Sequence, residues 1–121
     1  MNKPYTFLFF GIAGSGKGTQ IELLEKYIKS KDATASFTLA YPGSEFRKLI
    51  DSGSYTGQLV KTTLEQGWLQ PNFLSISLFT NILVSSLKPD THLSVDGFPR
   101  TITQSEVFEA AMDFYKREDI K

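Results

Sequence analysis

The chain has no cysteine and a single histidine, His92, so it holds no disulfide framework, no thiolate metal site and no histidine-rich metal cluster. That absence suits a reducing compartment. Arginine is scarce as well, with only Arg47, Arg100 and Arg117, and 13 basic residues offset 13 acidic ones to a formal charge of zero. Neither the lysines nor the arginines cluster, which argues against nucleic acid as a partner, because duplex binding calls for a concentrated basic face. Long apolar runs are missing too. The stretch from Tyr5 to Phe10 behind Lys3 is short and leads into glycines instead of a cleavage site, so it is not read as a secretory signal. No membrane partner is expected, and the expected location is cytoplasmic. There is no repeat or low-complexity tract, and a 40% apolar content is ordinary for a globular protein. A chain of this size buries roughly two-thirds of its unfolded surface in one core.

Glycine is concentrated in one tract, Gly11-Ile12-Ala13-Gly14-Ser15-Gly16-Lys17-Gly18-Thr19-Gln20, directly after the apolar run. A strand that ends in such a tract and opens a helix makes a phosphate-binding loop, with backbone N–H groups turned inward as an anion nest. The helix start adds the positive end of its dipole, and Lys17 meets the outer phosphates as a point charge. The general pattern places Ser or Thr immediately after the lysine, whereas Gly18 stands there and Thr19 follows. From Thr19 to Lys29 an amphipathic helix is predicted, with Ile21, Leu24 and Ile28 on one face.

A second cluster, Asp96-Gly97-Phe98-Pro99-Arg100-Thr101, follows the strand-like run Leu93-Ser94-Val95. Alone it reads as an ordinary turn. Beside a phosphate loop it reads differently: a carboxylate at a strand end can hold Mg²⁺ or its waters, and Arg100 can fork onto a phosphate.

Gly-Ser-Gly-Lys-Gly-Thr-Gln and Asp-Gly-Phe-Pro-Arg-Thr, in that order, resemble the signatures of adenylate kinases within the nucleoside monophosphate kinase family, where a glycine after the lysine is usual. The resemblance extends to Gly43-Ser44-Glu45-Phe46-Arg47, where the family has Gly-Asp-x-x-Arg, and to Gly67-Trp68-Leu69, where it has Gly-x-Leu. It implies that Gly14, Ser15, Gly16, Lys17, Gly18 and Thr19 bind the phosphates of ATP, with Mg²⁺ accompanying it near Asp96. Lys17, Arg100 and Asp96 are the implied catalytic residues. Arg47, Trp68, Leu69, Gln70, Gly97, Phe98, Pro99, Arg100 and Gln104 are the implied AMP-binding residues, with Gln104 meeting the adenine. Three positions depart from the family: Pro42 replaces a threonine, Ser44 an aspartate and Gln70 a small aliphatic residue. A kinase acting on UMP or CMP therefore stays open as an alternative, and the family's missing C-terminal half keeps open a nucleotide-binding module without catalysis.

The expected fold is α/β, a truncated P-loop NTPase type parallel sheet of about three strands with a helical monophosphate-binding subdomain at about 41–70 inside a partial kinase core spanning 1–121. Strands are predicted at Tyr5 to Phe10, Ser36 to Ala40 and His92 to Val95, and helices at Lys17 to Ser30, Ser44 to Asp51, Gly57 to Gln66 and Pro71 to Leu87. The last of these is apolar nearly all round and is read as a central core helix. Gly53 and Gly57 are read as breaks in a helical hairpin, by function or as an ordinary turn. Gln104 is equally readable as an exposed residue early in a helix. Arg117, in Lys116-Arg117-Glu118-Asp119, is read as a solvated helix end. The family continues into a lid whose arginines contact the transferring phosphate, so the chain is expected to be part of a longer kinase and weak in transfer by itself. With no fourth strand, one edge of Tyr5 to Phe10 is expected to be open and to drive self-association.

Overall fold

The computed structural model describes residues 3–11 and 15–121. Among the described residues the order is β1 (Thr6–Phe9), α1 (Lys17–Lys31), β2 (Phe37–Ala40), then three successive helices, α2 (Pro42–Asp51), α3 (Tyr55–Glu65) and α4 (Asn72–Ser86), followed by β3 (His92–Asp96) and α5 (Ile102–Tyr115), with the strands parallel. The sheet order is β1-β3-β2, an α/β arrangement of the P-loop kinase type. β3 is central, and its Leu93, Ser94, Val95 and Asp96 are all buried, as a strand covered on both faces requires.

Register places Thr6, Leu93 and Thr38 abreast, and likewise Leu8, Val95 and Ala40. Leu8, Ala40, Leu93 and Val95 pack with Phe79 and Leu83 of α4 and Phe108 and Met112 of α5 in the main core. Phe79 is fully buried and stacks on Phe98, with ring centroids 4.1 Å apart. Burying such a side chain contributes about 1.5–3 kcal/mol. α4 departs from the expected all-round core helix: Ser75, Phe79 and Leu83 form its buried stripe, while Phe73 and Val84 are 73% and 71% exposed. Nearly uniform hydrophobicity left the sequence no polar face from which to read that orientation.

Helix starts follow local chemistry. Gly16 adopts φ 88°, a left-handed conformation that costs glycine little, and α1 begins at Lys17. Pro42 occupies the first turn of α2, where its missing N–H has no partner to lose. Ser54 caps α3 by accepting from the Gly57 N–H at 3.0 Å, and Thr101 caps α5 by accepting from the Gln104 N–H at 3.1 Å. Gly57 therefore lies inside α3 and breaks nothing. Its role is close approach, since a Cβ there would sit 1.9 Å from the Leu49 carbonyl oxygen of α2.

Two further expectations are corrected at the C-terminal end. Lys116, with φ 58°, ends α5 in the left-handed region and turns Arg117 inward. Arg117 is only 7% exposed, donating from Nη1 to the Thr91 carbonyl at 2.7 Å and from Nη2 to the Lys88 carbonyl at 3.0 Å. It is a buried clamp on the turn before β3, not a solvated charge. Residues 119–121 then run parallel to β1: the Thr6 and Leu8 N–H groups donate to the Asp119 and Lys121 carbonyls, and the Lys121 N–H donates to the Thr6 carbonyl. The β1 edge expected to be open is engaged along Thr6 to Leu8, which removes the ground for self-association through it.

His92 sits at the start of β3 with its ring 5.7 Å from Tyr5 and 5.3 Å from Phe37, and its Nδ1 accepts the Tyr5 N–H at 2.9 Å. Burial, and then the Arg117 charge, push its pKa below the usual histidine value against a small opposing pull from Asp32. The fold thus favours neutral imidazole, and the unfolded chain takes up the proton first. Stability falls as pH drops below about 6.5 and levels off once the folded-state pKa is passed. His92→Phe, which keeps the ring packing, removes this part of the acid limb in denaturant titrations at stepped pH; an unchanged profile between pH 7 and 5 would contradict the assignment. Gly57→Ala lowers stability by about 1–3 kcal/mol through overpacking of α3 on α2, measured by chemical denaturation, and a neutral result would contradict the close approach.

Candidate functional site

A cavity of about 240 Å³ opens at the carboxyl ends of β2 and β3, lined among others by Lys17, Tyr41, Trp68, Leu69, Gln70, Asp96, Gly97, Phe98, Arg100 and Gln104. Crevices outside the carboxyl ends of parallel strands are where α/β sheets bind ligands. The volume lies just below the usual small-molecule range of about 300–1,000 Å³.

At its floor Lys17 and Asp96 form an ion pair, Nζ to Oδ1 2.5 Å, with side chains 16% and 8% exposed. β3 delivers Asp96 as its last residue and α1 delivers Lys17 as its first, so the pair joins the loop after β1 to the end of the central strand. Ser15, Gly16, Gly18 and Thr19 lie exposed outside the cavity, and Gly14 falls outside the described residues. Among the described residues of this glycine-rich tract, Lys17 alone lines the cavity.

The opposite wall is built from the end of α3 and the turn after it. The Gly67 N–H donates to the Leu64 carbonyl and the Trp68 N–H to the Thr63 carbonyl, a helix termination that leaves Trp68 and Leu69 on the rim, 66% and 63% exposed. Gln70 is anchored through Nε2 to the Val60 carbonyl at 3.3 Å, and its Oε1 is buried without a protein donor.

The turn after β3 is held from behind. Arg100 is exposed at the cavity, its Nε donating to the Gly97 carbonyl at 2.8 Å. Its backbone N–H donates to Gln104 Oε1 at 2.8 Å, Gln104 Nε2 donates to Asn72 Oδ1 at 3.0 Å, and Thr101 Oγ1 donates to the same Asn72 oxygen at 3.0 Å. Gln104 is 4% exposed, so the exposed reading of it is wrong and much of its amide is committed to this network. Phe98 lends the cavity little but backbone, because its ring is 1% exposed and stacked in the core. Pro99 does not line the cavity, and neither does Arg47, whose Nη2 donates to the Tyr41 hydroxyl at 2.7 Å.

Sequence reasoning missed Asn72 and Tyr41. An asparagine immediately after Pro71 at a helix start and an aromatic residue immediately after a strand were the available signals. Among the described residues no three acidic or histidine side chains converge on a metal position. Asp96 is the one carboxylate among the residues lining the cavity, a donor that suits a magnesium ion arriving with its own phosphate and water ligands.

The adenylate kinase family model matches residues 9–120. The "Adenylate kinase" of Dehalococcoides mccartyi (strain ATCC BAA-2100) is 37% identical over 108 residues, 89% of this chain and 46% of that protein. That of Bacteroides thetaiotaomicron is 36% identical over 103 residues, 84% and 50% of the respective chains. Human "Adenylate kinase isoenzyme 5" is 33% identical over 109 residues, covering 89% of this chain and 18% of that one. The chain spans about half the length of the bacterial relatives it matches. The start of α1 and the end of β3 meet at one ion pair, and the family match runs across both and everything between: the chain belongs to the adenylate kinase family.

Proposed function

We propose that the chain carries the acceptor site and the phosphate loop of a phosphotransferase that moves the γ-phosphoryl of MgATP to AMP. The observation that carries this reading is the single cavity in which Lys17, Asp96 and Arg100 face one another beneath Trp68 and Gln70. Phosphoryl transfer needs positioning and charge stabilisation more than covalent chemistry, and these residues are suited to both.

In this reading Gly14 and the backbone of residues 15–19 receive the triphosphate, and Lys17 exchanges Asp96 for the transferring group. Asp96 would hold waters of the accompanying magnesium, whose charge neutralises phosphate oxygens in the transition state. Arg100 binds the monophosphate from the cavity, and Arg47, in the helical subdomain proposed for about 41–70, binds it from the cavity edge. Trp68, Leu69 and Gln70 wall the base. Gln104 acts chiefly through Arg100, with limited capacity left for the base. AMP remains the favoured acceptor, and CMP, UMP and GMP are the comparison set.

By itself the chain is proposed to transfer slowly. Arginine contacts to the transferring phosphate are worth on the order of 10³–10⁵ in rate. Arg117, the one arginine not assigned to the monophosphate, is spent on two carbonyls. A cysteine-free sequence suits the cytoplasm as the proposed setting.

Calorimetric titration of the purified chain with MgATP and with AMP tests the reading. Lys17→Ala should lower ATP affinity at least tenfold with AMP changed far less, and Arg100→Ala should do the reverse, as expected for charge-assisted contacts worth about 1.5–3 kcal/mol. A folded parent that binds neither nucleotide would overturn it.

A further inference from the structure

Tyr41 lies between the two cations assigned to opposite sides of the transfer. Lys17 Nζ is 6.0 Å from its ring centroid, and the Arg47 guanidinium is 5.6 Å from the same centroid while also donating to the hydroxyl. The ring is held in place by the chain beneath it. A Cβ on Gly43 would fall 2.4–2.9 Å from Tyr41 Cε1, Cζ and the hydroxyl oxygen, so the phenol rests directly on the start of α2.

The hydrogen-bond inventory at this strand end leaves one hydroxyl proton over. Pro42 has neither hydroxyl nor N–H. The Ser44 hydroxyl donates to the Tyr41 carbonyl at 2.9 Å, so its proton is used. The Tyr41 hydroxyl acts as acceptor toward Arg47, and among the described residues no protein acceptor takes its own proton. A phenol can accept and donate at once. Arg47 likewise has donors beyond the one on Tyr41 and is exposed, so it can keep that bond while meeting an anion.

We propose that Tyr41 is a positioning residue for the monophosphate: its phenol fixes the Arg47 guanidinium at the cavity edge and offers its O–H to the same anionic oxygen. This rests on the nucleotide reading above and adds a residue to it. A long, exposed arginine is otherwise free to sample many rotamers, and holding it beforehand removes part of the ordering cost of binding. The chemistry recognised is a phosphate monoester dianion, with its charge shared between a guanidinium and a neutral O–H donor.

The test compares Tyr41→Phe with the parent chain, since phenylalanine keeps the ring on Gly43 and deletes only the hydroxyl. Titrations with AMP, adenosine and MgATP separate the phosphate from the base. The expected result is about a tenfold loss of AMP affinity, with adenosine and MgATP within twofold of the parent. In an Arg47→Ala background the same substitution should have a smaller effect, because the two side chains act together. Equal AMP affinity in Tyr41→Phe and parent would overturn the inference, as would matching losses for AMP and adenosine, which would mark the change as one of shape. A parent that binds MgATP and adenosine but gains nothing from the phosphate of AMP would instead remove the monophosphate reading on which the inference stands.

Discussion

The Lys17–Asp96 ion pair is the contact on which the cleft depends. It closes the loop after β1 onto the last residue of the central strand, and both side chains are largely withdrawn from water. A buried pair adds little net stability over an apolar substitute, yet removing one partner leaves an uncompensated charge and typically costs about 3–5 kcal/mol. Its value here is placement. A lysine that starts a helix behind a glycine loop and a carboxylate that ends a buried strand are kept at one point, where an incoming polyphosphate can take the lysine in exchange.

Around that point the two sides of the cleft are unequally built. The side proposed for the monophosphate has a cavity, a rim of Trp68 and Leu69, and a turn buttressed through Gln104 and Asn72. On the side proposed for the triphosphate, Ser15, Gly16, Gly18 and Thr19 are exposed, and among the described residues of that tract Lys17 alone lines the cavity. The arginines divide in the same way. Arg100 and Arg47 are tethered to Gly97 and Tyr41 near the cavity, and Arg117 is committed to the turn before β3.

Much of this was legible in the sequence because its signals are local. Glycine spacing located the start of α1 at Lys17, Leu93-Ser94-Val95 read as a buried strand, and Pro42 and Pro71 fall within one or two residues of helix starts. What was not legible depends on distant partners. Gln104 is buried because Asn72, 32 positions away, meets its amide. Arg117 lies in a charged tetrapeptide but turns inward because the carbonyls of Lys88 and Thr91 need donors. The β1 edge is engaged by residues 119–121, which carry no strand pattern of their own. Gly57 read as a break because its purpose is contact with α2, not local backbone freedom.

The central claim is that two anions approach the Lys17–Asp96 pair from different sides. Backbone amide NMR shifts of the labelled chain, recorded in separate titrations with MgATP and AMP, test it most directly. The account predicts that MgATP moves residues 15–19, that AMP moves Tyr41, Trp68, Leu69, Gln70 and Arg100, and that Lys17 and Asp96 respond to both. Identical shift patterns for the two nucleotides, or shifts confined to residues remote from this pair, would contradict it.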